Sequence, residues 1–104
     1  MEVRYADNKL EKLCTDEREM WRKRADVAKK LKLRINALRQ ANNLGHLQDL
    51  DPSGKWHSVD KIRSGCWAAW VSVNHRIIIR PEGSGAVVTA VTVTVVEVED
   101  YHKK

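Results

Sequence analysis

The sequence predicts an α+β domain, with two N-terminal helices packed on one face of a small, mostly antiparallel sheet. Three observations carry that expectation. Apolar residues recur at helical spacing between residues 16 and 40, β-rich runs fill the chain after residue 67, and the two patterns follow one another instead of alternating. At 104 residues the chain suffices for one compact domain and is too short for two, so residues 1–104 are read as a single domain.

Val3 to Tyr5 read as a short first strand. Asp7 or Asn8 offers an N-cap for a short helix through Leu10 and Leu13. A second helix starts at Thr15 or Asp16, where acids fill its first turn, and its apolar stripe runs Trp21, Ala25, Ala28, Leu31, Ile35 and Leu38. Asn42, Asn43 and Gly45 end it. Residues Leu44 to Ser64 read as loop, with a turn at Asp51-Pro52-Ser53-Gly54. Trp67 to Val73 and Arg76 to Arg80 then form strands around a tight hairpin at Asn74-His75, and Pro81 to Gly85 make the next turn. Val87 to Val98 is a long Val/Thr strand whose alternation slips at Val95-Val96, which predicts a bulge or a change of exposure there.

Apolar residues make up 42% of the chain and charged residues 32%, a balance that fits a folded protein and argues against intrinsic disorder. The net charge is +5, which makes a polyanion the default partner. Eight basic residues between Arg22 and Arg39 face a single acid, Asp26; they read as a solvated helix face, or as a surface meeting RNA phosphate or an acidic partner. The longest apolar stretch, Ala86 to Val96, is broken by three threonines and is too short to span a bilayer, so no membrane is expected. The polar start MEVRYADNK carries no secretory signal, and Cys14 and Cys66 read as free, reduced thiols; both point to the cytoplasm.

Four histidines, His46, His57, His75 and His102, could titrate near neutral pH. His102 lies in Asp100-Tyr101-His102-Lys103-Lys104, a cluster of hydrogen-bonding groups or a polar tail. His57 follows the Pro52 turn and reads as a surface or capping histidine or as a catalyst. Arg76 starts a strand, where its guanidinium could hold phosphate through two parallel hydrogen bonds. Trp56, beside His57, is either a stacking platform for a base or part of the core. Trp67 and Trp70 have opposite parity on one strand, so one should face outward unless a bulge intervenes. His57, His75, His102 and Cys66 lack the paired spacing of a structural zinc site, and no metal or cofactor is expected.

The segment Gly65-Cys66-Trp67-Ala68-Ala69-Trp70-Val71-Ser72-Val73-Asn74-His75-Arg76-Ile77, followed by Val95-Val96-Glu97-Val98-Glu99-Asp100-Tyr101-His102, resembles the HigB branch of the RelE/ParE toxin superfamily. That branch carries a G-x-W-x-x-x-V-x-x-x-x-R-I hairpin after a histidine about ten positions upstream, which is where His57 stands, and ends in D-Y-H. The resemblance implies a RelE-like fold and a ribosome-dependent mRNA endonuclease held inactive by a cognate, HigA-like antitoxin. Its active-site positions fall on His57, Arg76, Asp100, Tyr101 and His102. Where the family often has a lysine three positions after the histidine, this chain has Asp60, so that the phosphate-binding role passes to Lys61 or Arg63, with Lys55 as a further RNA contact.

Those residue types suit metal-free RNA cleavage. One imidazole takes the proton of the 2′-hydroxyl, another protonates the leaving 5′-oxygen, and arginine stabilises the charge gathering on phosphorus. The sequence leaves open which of His57 and His102 is acid and which is base. Asp100 would orient a neighbour, and Tyr101 would stack on a base or donate to phosphate. Two other readings stand beside this one: a non-catalytic ParE-like toxin that blocks a protein such as DNA gyrase, and a basic RNA-binding module for which the charge alone suffices.

Overall fold

Two aspartates start the first two helices. Asp7 accepts a hydrogen bond from the Leu10 N–H at 2.8 Å and caps α1 (Asn8–Thr15). Asp16 accepts from the Arg18 and Glu19 N–H groups and caps α2 (Glu17–Arg24). The computed structural model describes residues 1–100.

The single long helix expected from Thr15 or Asp16 up to Asn42-Asn43 is instead two. The first ends at Arg24, Ala25 keeps helical dihedrals (φ −55°, ψ −32°), and the chain restarts as α3 (Ala28–Gln40) after Val27 at φ −123°, ψ 0°, which gives no side-chain cap. A continuous helix would have buried Trp21 and Ala25. The break buries Met20 and Val27 and leaves Trp21 49% exposed, while Ala28, Leu31, Ile35 and Leu38 keep the stripe assigned to them. Neither glycine nor proline marks the break, so nothing local in the sequence announces it. The segment expected to be loop holds a 3₁₀ turn (Leu44–His46), a short helix α4 (Leu47–Leu50), a second 3₁₀ turn (Pro52–Gly54) and a two-residue strand.

The described residues form one five-stranded sheet, ordered β1-β5-β4-β3-β2. Its members are β1 (Glu2–Tyr5), β2 (His57–Ser58), β3 (Trp67–Trp70), β4 (His75–Pro81) and β5 (Thr92–Asp100). Three neighbouring pairs are antiparallel, but β1 runs parallel to β5, so the sheet is mixed. The β3–β4 connection is longer than the tight turn expected at Asn74-His75. Residues 71–74 form the loop, the Ser72 hydroxyl accepts from the Asn74 and His75 N–H groups, and His75 already belongs to β4. β5 begins only at Thr92, because Val87–Thr89 wind into a 3₁₀ turn.

The slip at Val95-Val96 is a β-bulge. Ile78 pairs with Glu97 and Ile79 with Val95, which leaves Val96 unopposed. The extra residue reverses the parity of β5. Before it, Val93 and Val95 join the core with Ile77, Ile79, Leu31, Ile35 and Leu38; after it, Glu97 and Glu99 stand opposite Ile78 and Arg76 on the other face. That second face carries only a small apolar cluster of Val59, Cys66, Ala68 and Ile78, with Val96 against it. No helix among the described residues is long and apolar enough to cross a membrane. Both cysteines are buried and free, and burial pushes the Cys14 thiol up to about 12 against the opposing pull of Arg39.

Candidate active site

Strand register alone brings His57 and Arg76 to one face. His57 is paired with Ala68, Ala68 with Ile78, and Trp70 with Arg76, so His57, Ala68, Trp70 and Arg76 share the side of the sheet away from the helices. Two strand spacings and a two-residue offset put the Cα atoms of His57 and Arg76 roughly 12 Å apart.

The two side chains differ in setting. His57 is exposed, and its Nδ1 lies 2.7 Å from the Lys55 carbonyl oxygen. A carbonyl only accepts, so Nδ1–H donates; in the neutral ring Nε2 is then the bare nitrogen. Lys55 reaches this geometry through a left-handed backbone (φ 53°, ψ 50°), a conformation that costs a side-chain-bearing residue about 1–2 kcal/mol. Arg76 is 6% exposed, and its Nε donates to Glu99 Oε2 at 2.6 Å, a short charge-assisted bond.

A second ion pair lies alongside. Arg63 Nη2 meets Glu97 Oε1 at 2.5 Å, and Arg63 Nη1 is buried with no hydrogen-bond partner among the described residues. No site role is expected for Glu97 and Glu99 from the sequence, although the slipped alternation at Val95-Val96 is the signal that turns them to this face. Asp60 is engaged too: its Oδ1 accepts from the Gly65 N–H at 2.6 Å and closes the loop into β3, while Lys61 beside it is exposed. A cleft of about 480 Å³ opens nearby, lined by Ser53, Lys55, Trp70, Ser72 and Val73.

Other expectations change. Trp56 is no platform for a base: it is 3% exposed and its Nε1 donates to Asp51 Oδ2 at 3.0 Å. Trp67 and Trp70 do stand on opposite faces, Trp67 against the main core. The basic run on α2 and α3 is not one solvated stripe, because Arg34 turns inward against Asp51, and Arg22, Lys23, Arg24 and Lys32 pair with Glu19, Asp26 and Glu17. Asp100 is paired in register with His75, one position past Glu99, and so takes the parity opposite to Arg76; its Oδ2 lies 3.9 Å from His75 Nε2. Tyr101 and His102 lie outside the described residues. Among the described residues, no three His, Cys, Asp or Glu side chains converge to hold a metal ion.

No protein-family model matches the chain, and no curated relative does. Among solved structures it is similar to a YoeB/ParE toxin from Agrobacterium tumefaciens, with a TM-score of 0.56 and 19% identity over 98% of this chain and 100% of that one. At that identity the likeness speaks for the fold: the α+β architecture described above is that of a YoeB/ParE toxin.

Proposed function

We propose that this protein is the toxin of a type II toxin–antitoxin pair and cleaves ribosome-bound mRNA without a metal. The observation that carries the reading is the His57–Arg76 face: a bare imidazole nitrogen and a buried guanidinium on one exposed side of a YoeB/ParE-like sheet. In the proposed reaction His57 Nε2 takes the proton from the 2′-hydroxyl, whose oxygen attacks phosphorus. Arg76 stabilises the phosphorane, the P–O5′ bond breaks, and His102 protonates the departing oxygen. The products are a 2′,3′-cyclic phosphate and a 5′-hydroxyl. Arg63, Lys61 and Lys55 supply further positive charge, Tyr101 stacks on a base, and Asp100 orients a neighbour. A HigA-like antitoxin would cover this face, and the ribosomal A site would deliver the substrate.

The pairing of Arg76 and Arg63 with Glu99 and Glu97 favours the second reading, a ParE-like blocker of a protein such as DNA gyrase. Carboxylates beside both guanidiniums lower the attraction of this face for a phosphate chain. Mapping of transcript 5′ ends after brief induction separates the two. The nuclease leaves new 5′-hydroxyl ends within reading frames, and His57→Ala and His102→Ala abolish them. A blocker leaves transcripts whole, and His102→Ala keeps its full toxicity. A bare RNA-binding module would bind with steep salt dependence, cut nothing and harm no cell.

A further inference from the structure

We propose that Arg34 is a positioning residue for His57. From inside α3 it fixes the Asp51–Trp56 loop in the backbone path that makes the Lys55 carbonyl accept from His57 Nδ1. The purpose of this device rests on the nuclease reading; the device itself does not.

The loop is anchored at both ends and at Ser53. Arg34 is 3% exposed and donates from Nε to the Trp70 carbonyl (2.7 Å), from Nη1 to Asp51 Oδ1 (3.1 Å) and Ser53 Oγ (3.3 Å), and from Nη2 to the Ser53 carbonyl (3.3 Å). The second Asp51 oxygen accepts from Trp56 Nε1, and Gln48 Nε2 donates to the Trp56 carbonyl at 3.2 Å. Gly54 threads between these groups: a Cβ there would lie 2.8 Å from Asp51 Oδ2, 2.9 Å from Trp56 Nε1 and 3.1 Å from Arg34 Nε.

With Ser53, Gly54 and Trp56 pinned, Lys55 must join them in the left-handed region, although lysine gains nothing from that conformation. Its N–H turns back to the Pro52 carbonyl at 3.2 Å, and its own carbonyl is thereby aimed at the imidazole. The bond to the Trp70 carbonyl anchors the same loop to β3, the strand that β2 pairs with. One guanidinium therefore ties the helix layer, the loop and the strand beside His57. Arg34 is the charged member of an otherwise apolar buried stripe on α3, and only its forked guanidinium can serve the Trp70 carbonyl, Asp51 and Ser53 together.

The test reads the ring directly, by ¹⁵N NMR of histidine-labelled full-length protein at a pH where His57 is neutral. In the wild type the proton is expected on Nδ1. In Arg34→Lys, whose single ammonium cannot serve Trp70, Asp51 and Ser53 at once, the Nδ1–H form is expected to decline. Cleavage kcat should fall on the order of 10²-fold with KM little changed. Gly54→Ala disturbs the same loop from the opposite side and should shift the ring alike. A neutral wild-type ring protonated on Nε2 overturns the proposal, as does an unchanged ring in the folded variants. A wild type that cuts no RNA overturns the nuclease reading instead, while the ring signal still decides the coupling of Arg34 to His57.

Discussion

The two faces of the sheet are built on different physics. Under the helices, Ile77, Ile79, Val93 and Val95 meet Leu31, Ile35 and Leu38 in a dry core. On the opposite side of the same strands, Arg76, Glu97, Glu99, Arg80 and Thr94 surround a cluster of a few apolar side chains. Packing fixes the first face, whereas hydrogen bonds and ion pairs hold the second. A fold anchored on one side only can vary the other without unfolding, which is why the candidate chemistry sits on the polar face.

The largest expected effect tests whether charge works differently in the two regions. Asp51→Ala strands the buried Arg34 guanidinium and should cost about 3–5 kcal/mol in urea unfolding. Next comes the dry core, where Ile79→Ala should cost about 2–5 kcal/mol. On the polar face, Glu99→Gln keeps a hydrogen-bond acceptor for Arg76 and should cost only about 1–3 kcal/mol, measured the same way. A loss from Glu99→Gln as large as that from Ile79→Ala would erase the contrast between the faces.

Much of this architecture is legible in the sequence, and the failures have physical causes. Asp7 and Asp16 cap helices as their side chains dictate, and the doubled valine at 95–96 announces the bulge. The break between α2 and α3 was invisible because the spacing from Trp21 to Leu38 stays helical across it; only the need to bury Met20 and Val27 together divides the run. In the sequence Arg34 is indistinguishable from the basic residues around it, because its partner, Asp51, is brought to it by tertiary folding alone. His57 and Arg76 were legible as residues, but the Glu99 partner of Arg76 depends on the parity reversal that the bulge makes.

Acid sharpens the comparison further. Glu82 is held below the usual carboxylate range, first by the hydrogen bond from the Thr94 hydroxyl and then by Arg80 and Arg4, against the opposing effect of burial. Because its folded value is depressed, its stabilising contribution is present above the unfolded carboxylate range and is lost as pH falls through the folded value. The stability gap between wild type and Glu82→Gln should therefore narrow on acidification below the usual carboxylate range, as followed by urea midpoints. Smallest of all should be Lys61→Ala, an exposed change expected to shift stability by less than about 0.5 kcal/mol while weakening RNA binding measurably at low salt.

The most direct test of the polar face as a cutting site is the single-turnover cleavage rate of mRNA on programmed ribosomes, wild type against His57→Gln, with both proteins shown to be folded. The predicted result is efficient cleavage by the wild type and a loss on the order of 10²–10⁴-fold in the variant. Equal rates for the two proteins would contradict the assignment of His57 as the base.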